Sequence, residues 1–77
     1  MSVLNESLDL TLYGCPMHYI KAREAIKKIA LEQDIELLVN KGNAVTEMLN
    51  SLRQDGQQCE ITSEDVLTTT ILVRRKR

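Results

Sequence analysis

The sequence contains few aromatic residues, with two tyrosines and neither tryptophan nor phenylalanine among its 77 residues. Proteins that bind single-stranded nucleic acid stack the bases on aromatic rings, so direct nucleic-acid binding is not expected here. The net charge of −1 gives no overall field that would attract a polyanion. The local exception is the basic run Arg74-Arg75-Lys76-Arg77, for which we expect a solvated, frayed terminus.

Long hydrophobic runs are also missing from the sequence. No apolar stretch approaches the roughly 20 residues that a membrane-spanning helix needs, and the first residues lack the basic and apolar regions of a secretory signal peptide. Cys15 and Cys59 are the only cysteines, whereas a small secreted scaffold usually carries more. We therefore expect a cytoplasmic protein with no membrane association, in which both thiols stay reduced.

The length limits what this protein can do. A chain of 77 residues forms a single domain with a small core. We expect its ordered part to run from about 8 to 74, with short flexible ends. Such a domain cannot enclose a large active site, so any chemistry would lie at the surface, at the end of a helix or strand.

Two periodicities in the sequence predict the fold. Alternating apolar residues predict strands, and apolar residues repeated every three or four positions predict helices. The predicted strands cover 8–12, 34–39, 57–62 and 68–74, and the predicted helices cover 16–32 and 44–54. The strand–helix–strand crossovers should be right-handed, which places both helices on one face of the sheet. We therefore predict an α+β fold, a βαβαββ two-layer sandwich whose mixed four-stranded sheet has one open face.

The same patterns predict where particular residues lie. The three leucines of 8–12 should share the buried face of the first strand. Cys59 and Ile61 should share the buried face of the third strand, which makes Cys59 a core residue. Gly56 follows the last apolar position of the second helix and should end it.

Cys15 and Pro16 stand where the first strand should pass into the first helix. Proline suits the first turn of a helix because its missing N–H costs no hydrogen bond there. The free N–H groups and the positive dipole end of a helix start stabilise an anion, and they can lower the pKa of a cysteine. We therefore interpret Cys15 as a reactive thiol at a helix start that Pro16 fixes. The alternative is a small buried residue that fills the junction.

His18 is the only histidine, and it follows Cys15 by three residues, a spacing that brings side chains together on a helix. A protonated imidazole would stabilise the thiolate, and a neutral one would accept the thiol proton. The alternative is a solvent-facing histidine without a role. Cys15 and His18 are too few ligands for zinc, and Cys59 is expected away from them, so no metal is expected.

Other thiol chemistries fit this pattern less well. Position 18 is not cysteine, so the C-x-x-C spacing of a thioredoxin-type redox pair is absent. A hydrolase with a Cys–His pair usually has a third residue that orients the base, and it needs a substrate cleft. What remains is a thiol that accepts a group and hands it to a partner, as a persulfide or a mixed disulfide. A redox sensor that uses the same thiol is a further alternative.

Five segments together form a recognisable pattern. They are Leu8-Asp9-Leu10, Gly14-Cys15-Pro16, Lys21-Ala22-Arg23-Glu24-Ala25-Ile26, Asp34-Ile35-Glu36-Leu37-Leu38-Val39 and Gly56-Gln57. In this order the chain resembles the TusA-like (SirA-like) sulfur-carrier family, and the resemblance covers nearly all of it, from Leu8 to Val73. The family's Cys-Pro-x-Pro signature reads Cys-Pro-Met-His here. His18 therefore replaces the second proline and adds a titratable group close to the sulfur.

The resemblance implies both a fold and a function. The family fold is a βαβαββ sandwich, in agreement with the pattern above, and Cys15 would carry sulfur as a persulfide. The partners would be a sulfur donor protein, of cysteine desulfurase or rhodanese type, and an acceptor protein. Relays of this kind include those that serve tRNA thiolation. No cofactor is implied, and the chain would act in a relay rather than as a stand-alone enzyme.

The competing function is a non-catalytic interaction module or regulatory adaptor. Leu38 and Leu72 are expected on the open face of the sheet, where a partner or a second copy of the chain would cover them. The basic tail, Arg74–Arg77, would be a second surface, since a run of cations binds phosphate without sequence preference.

Overall fold

The computed structural model describes residues 6–14 and 17–77. The elements within them are β1 (Glu6–Asp9), α1 (Met17–Lys28), β2 (Asp34–Asn40), α2 (Asn43–Gln54), β3 (Gln58–Glu64) and β4 (Thr68–Arg74). This is the predicted βαβαββ order, and the α+β class is confirmed.

The strands form one mixed sheet in the order β1-β2-β4-β3. β1 is parallel to β2, and β4 is antiparallel to both β2 and β3. Because β1 and β2 are parallel, the loops that follow them lie at the same end of the sheet. The β3–β4 turn lies there too, since Asn40 pairs with Thr68. We call this the loop end, defined by residues 10–14, 41–42 and 65–67.

The core lies between the two helices and one face of the sheet. Alternate residues of β2 and β4 are buried in it, namely Ile35, Leu37, Val39, Thr69, Ile71 and Val73. The helices add Ala22, Ile26, Met48 and Leu52. Leu38 and Leu72 alternate with these buried residues and lie half-buried on the open face, as predicted.

β1 starts earlier and ends earlier than the predicted strand over 8–12. It ends at Asp9 because the carboxylate Oδ1 of Asp9 accepts hydrogen bonds from the backbone N–H and the hydroxyl of Thr11, at 2.9 and 2.6 Å. A short polar side chain that bonds two residues ahead turns the chain away from the sheet. Leu10 still enters the core, but Leu12 is 91% exposed, so the prediction of a third buried leucine is wrong.

α1 ends at Lys28, before the predicted end near Glu32. Glu32 has a positive φ of 67°, which a helix does not allow, and the chain turns there. The helix-end carbonyls of Lys27 and Ile29 accept hydrogen bonds from Nη1 of Arg75, at 3.2 and 2.6 Å. A residue distant in sequence therefore completes this helix end, and no local pattern marks it.

Gly56 ends α2, as predicted. Its φ is 94°, its N–H donates to the carbonyl of Arg53 at 3.0 Å, and the N–H of Gln57 donates to the carbonyl of Leu52 at 3.1 Å. These two hydrogen bonds form the Schellman motif, for which glycine is the favoured residue. The local sequence therefore sets this helix end.

β3 continues to Glu64, beyond the predicted end, and the turn lies at 65–67. A register shift between Ile61 and Ser63 marks a bulge. Cys59 is buried as predicted, but Ile61 is 42% exposed, so the expectation of a shared buried face is wrong for Ile61. β3 is an edge strand, and Ile61 therefore has strand neighbours on one side only.

The C-terminal tail is bonded to the domain, in contrast to the frayed terminus that we expected. The N–H of Glu32 donates to the carbonyl of Arg75 at 2.7 Å, and the N–H of Arg75 donates to the carbonyl of Gln33 at 3.0 Å. Nζ of Lys76 pairs with the carboxylate of Glu32 at 2.8 Å. The N–H of Lys76 donates to Oε1 of Gln57, also at 2.8 Å. The tail therefore lies beside the C-terminal ends of both helices, opposite the loop end.

Candidate functional site

The candidate site lies at the loop end, between β1 and α1. The N–H of His18 donates to the carbonyl of Gly14 at 3.1 Å, so the helical hydrogen-bond pattern reaches back to Gly14. Cys15 and Pro16, the predicted thiol and helix start, lie outside the described residues. The structure gives the surroundings of the site through Gly14, Met17 and the loop before them.

The loop that leads to the site is tied to β2. The N–H of Leu10 donates to the carbonyl of Leu38 at 2.8 Å, and the N–H of Tyr13 donates to the carbonyl of Leu10 at 3.1 Å. Nδ2 of Asn40 donates to the carbonyl of Thr11 at 2.8 Å. These contacts join the loop after β1 to the end of β2. The described part of the loop that precedes Cys15 in the sequence is therefore bonded to the sheet.

His18 is buried, with 4% of its surface exposed, so the alternative of a solvent-facing histidine is wrong. Neither of its ring nitrogens has a hydrogen-bond partner in the part of the chain that the structure describes. A buried polar group without a partner costs about 1–3 kcal/mol. Unsatisfied groups of this kind call for an explanation, which can be functional. His18 is therefore a buried imidazole whose nitrogens have no partner among the residues described, and it follows Cys15 by three positions in the sequence.

Exposed apolar side chains surround the loop end. Around the site they are Leu12, Tyr13, Met17 and Ile20, and on the β3–β4 turn they are Val66 and Leu67. The N–H of Lys41 donates to the carbonyl of Leu67 at 3.0 Å and ties that turn to the β2–α2 loop. The sequence analysis missed the contribution of Val66 and Leu67. The available signal was two apolar residues next to a predicted polar turn.

The second thiol lies elsewhere and differs in chemistry. Cys59 is a free, buried cysteine near the start of β3, where it pairs with Val73, away from the loop end. Burial raises the pKa of Cys59 to about 11, against a smaller opposing effect of Arg53. A thiol of this kind stays protonated at neutral pH and is a poor nucleophile.

Within residues 6–14 and 17–77, no three His, Cys, Asp or Glu side chains are grouped so that they could hold a metal ion. Over the same described residues, no helix has the length and apolar character needed to cross a membrane.

The two-layer sandwich, together with a Cys-Pro pair in the sequence between β1 and α1, defines a class of small proteins with one thiol at the first strand–helix junction. The sequence matches the family described as sulfurtransferase TusA over residues 6–75. The chain belongs to this family, and the resemblance noted in the sequence is confirmed.

Among solved structures, the chain is similar to the crystal structure of a SirA-like protein from Desulfitobacterium hafniense. The two are 17% identical and superpose with a TM-score of 0.77, over 92% of this chain and 97% of the other. At this identity the likeness shows the fold. No curated protein matches the sequence.

Proposed function

We propose that this protein is a sulfur carrier that holds sulfane sulfur as a persulfide on Cys15 and relays it to a partner protein. Membership of the TusA family, matched over a range that includes Cys15 and Pro16, is the observation that carries the proposal. The thiolate of Cys15 attacks the outer sulfur of a persulfide on the donor. The S–S bond of the donor breaks, the donor leaves as a thiolate, and Cys15 holds the persulfide.

The second transfer repeats these steps with a thiolate of the acceptor. Each transfer forms one S–S bond and breaks another, so the relay consumes no oxidant and needs no cofactor. A reducing compartment such as the cytoplasm suits this chemistry, because Cys15 must return to a free thiolate after each transfer.

The contrast between the two thiols supports the assignment to Cys15. With the pKa of Cys59 near 11, only about one in ten thousand of its thiols is ionised at pH 7. Cys59 is also buried in the core, where a partner protein cannot reach it. The chain has two cysteines, so the transfer chemistry falls to Cys15.

We assign His18 a positioning role beside this thiol. Its ring nitrogens have no partner within the described residues, and they are therefore available to hydrogen-bond a sulfur atom. Pro16 would set the start of the helix whose N–H groups stabilise the thiolate. The exposed Leu12, Met17 and Leu67 at the loop end would contact the donor and the acceptor, since apolar side chains are the anchors of protein interfaces.

Mass spectrometry of the intact protein tests the proposal after incubation with a cysteine desulfurase and cysteine. The expected product is heavier by about 32 Da, the mass of one sulfur atom, and a reductant removes it. Peptide mapping should place the added sulfur on Cys15. Cys15→Ser should abolish the gain in mass, whereas the matched variant Cys59→Ser should keep it. A Cys15→Ser protein that still loads fully contradicts the proposal.

The role of His18 needs a readout that folding alone does not change. The rate at which iodoacetamide alkylates Cys15 should depend on pH differently in His18→Leu than in the parent protein. His18→Gln, which keeps a polar side chain, should lie between the two. Identical pH profiles for all three proteins would limit His18 to packing and leave the persulfide proposal standing.

A further inference from the structure

A pocket lies at the end of the sandwich opposite the loop end, where α1, the C-terminal end of α2 and the tail meet. Its volume is about 190 Å³, below the 300–1,000 Å³ typical of pockets for drug-sized ligands. Four cationic side chains line it, from Arg23, Lys27, Arg75 and Arg77, together with the carboxylate of Asp55. The protein as a whole carries a net charge of −1, so this local excess of positive charge is a property of the pocket.

The cations of the pocket differ from the other cations on the surface. Elsewhere the ion pairs are Lys21 with Glu24, Lys41 with Glu64, Arg74 with Asp34, and Lys76 with Glu32. Within the described residues, none of the four cations of the pocket is paired with an Asp or Glu side chain in these ion pairs. Two come from the exposed side of α1 and two from the tail, so only the tertiary structure brings them together.

Hydrogen bonds hold the polar groups of the pocket in place. Arg75 donates through Nη1 to the carbonyls of Lys27 and Ile29, and through Nε to the carbonyl of Arg77 at 2.8 Å. The carboxylate of Asp55 accepts a hydrogen bond from the hydroxyl of Tyr19 at 2.6 Å. The carboxylate keeps its negative charge in this hydrogen bond, so the pocket has four cationic side chains against one acidic side chain. A guanidinium fixed before binding loses little freedom when a ligand arrives.

We propose that this pocket is a second binding site, which takes a phosphoryl group carrying two or more negative charges. Guanidinium groups match the oxygens of a phosphate, which they bind through paired hydrogen bonds, and several converging cations favour a multiply charged anion over a single carboxylate. The site is separate from the loop end, and the proposal does not depend on sulfur transfer.

The test is titration of the isotope-labelled protein with sodium pyrophosphate at constant ionic strength, followed by amide NMR. The expected result is saturable shifts at the amides of Arg23, Lys27 and Gln57, with the loop end unchanged. The double variant Arg23→Gln/Lys27→Gln should bind pyrophosphate at least about tenfold more weakly. The loss of even one charge-assisted hydrogen bond weakens binding by about this factor. The charge-matched control, Lys21→Gln/Lys41→Gln, should bind as the parent does.

A variant that is expected to strengthen binding distinguishes an effect on the pocket from general damage to the fold. Asp55→Asn keeps an acceptor for the Tyr19 hydroxyl but removes the charge of the one acidic side chain that lines the pocket, so it should bind pyrophosphate severalfold more tightly. Shifts that do not saturate, equal losses in both double variants, or weaker binding by Asp55→Asn would each overturn the proposal.

Two further arms of the titration identify the source of the phosphoryl group. A preference for pyrophosphate over a short single-stranded oligonucleotide of equal phosphate concentration would indicate a small-molecule ligand, and the reverse would indicate a nucleic-acid backbone. A stronger response to citrate than to either would indicate a carboxylate ligand and overturn the phosphoryl assignment. Persulfide loading of Cys15 in the Arg23→Gln/Lys27→Gln variant should equal that of the parent, so this proposal and the sulfur-carrier proposal can fail separately.

Discussion

The two helices cover the same face of the sheet and are equally long, at 12 residues each, but they are built differently. α2 is a core helix in the ordinary sense, since it buries Met48 and Leu52 and ends at a glycine that its own sequence supplies. α1 buries in its first turn a histidine that has no hydrogen-bond partner among the described residues, and a distant arginine bonds to the carbonyls at its other end.

α2 therefore contributes mainly to stability, whereas α1 lies at the candidate functional sites. The buried side chains of α2 and its glycine stop both lower the free energy of the folded state. Two features of α1 do not favour the folded state in this way: among the described residues, the buried imidazole has no hydrogen-bond partner, and Arg23 and Lys27 have no acidic side-chain partner. Natural proteins tend to violate the rules of local structure at functional sites. The candidate sulfur site lies at the start of α1, and the pocket lined by Arg23, Lys27, Arg75 and Arg77 lies toward its other end.

The largest expected effect concerns the core side of α2. Leu52→Ala should lower the free energy of unfolding by about 2–5 kcal/mol, because Leu52 is fully buried and its removal leaves a cavity. The rate of Cys15 alkylation in the folded protein should not change. Urea denaturation and alkylation kinetics check both parts, with the exposed Asn50→Ala as the control on the same helix. A changed alkylation rate in folded Leu52→Ala would show that the two helices are not separate in this way.

The next largest effect is expected at Gly56, the glycine at which α2 ends. Gly56→Ala should cost about 1–2 kcal/mol, since Gly56 has a φ of 94°, which an L side chain adopts only with strain. The added Cβ would also meet the side chain of Arg77 at 2.6 Å, which must move. Gly14→Ala is the control, because Gly14 has no neighbour within 4 Å of the same position. Thermal unfolding of both variants should show the loss for Gly56→Ala alone.

For α1, the buried histidine predicts an effect of opposite sign. His18→Leu should leave the free energy of unfolding unchanged or raise it, by up to about 1–3 kcal/mol, because an apolar side chain removes the unsatisfied nitrogens. Chemical denaturation near neutral pH measures this. A clear loss of stability would mean that the resting imidazole already has a hydrogen-bond partner outside the described residues, and the contrast between the helices would weaken.

The smallest expected effect concerns the contact that joins the helix pair. The hydroxyl of Tyr19 on α1 donates to the carboxylate of Asp55 at the end of α2, and this bond raises the pKa of Tyr19. The folded pKa lies above the unfolded value of about 10, so the contribution of the bond is fully present below that pH. It is lost as the pH rises further. Tyr19→Phe should cost about 0.5–1.5 kcal/mol at pH 7.

The alkaline range provides the control for Tyr19. The Tyr19→Phe protein should show a smaller fall in stability above pH 10 than the parent, whereas Tyr13→Phe should fall as the parent does. Tyr13 is a suitable comparison because its ring is exposed and lies near Nζ of Lys21, which belongs to α1, the helix that carries Tyr19. Parallel curves for all three proteins would show that the Tyr19 hydroxyl does not hold the helices together.

Most of the fold could be predicted because most of it follows from local periodicity. The alternation in 34–39 and 68–74 fixed the two central strands, which are buried on one face only. The errors fall where a side chain overrides that pattern. Asp9 turns the chain before Leu12 can join the strand, and an edge position leaves Ile61 exposed although its spacing from Cys59 is right.

The candidate site divides in the same way. The sequence alone predicted Cys15, Pro16 and His18 as site residues, because a cysteine–proline pair at a strand–helix junction is readable from residue types and spacing, and this remains a prediction. It did not predict that His18 is buried, since burial depends on what packs over the helix start. It also missed Val66 and Leu67, which reach the loop end only through the antiparallel return of β3 and β4.

The sequence by itself determined the order of the elements, the class of fold, the family and the stop of α2. Each of these depends on interactions between residues close in the chain or on a pattern that repeats along it. Only the tertiary structure decided where α1 ends, that the basic tail is bonded to the domain, and that four cations face one pocket. Those outcomes depend on contacts such as the one between Arg75 and Ile29, and no local pattern encodes a contact between residues that distant in sequence.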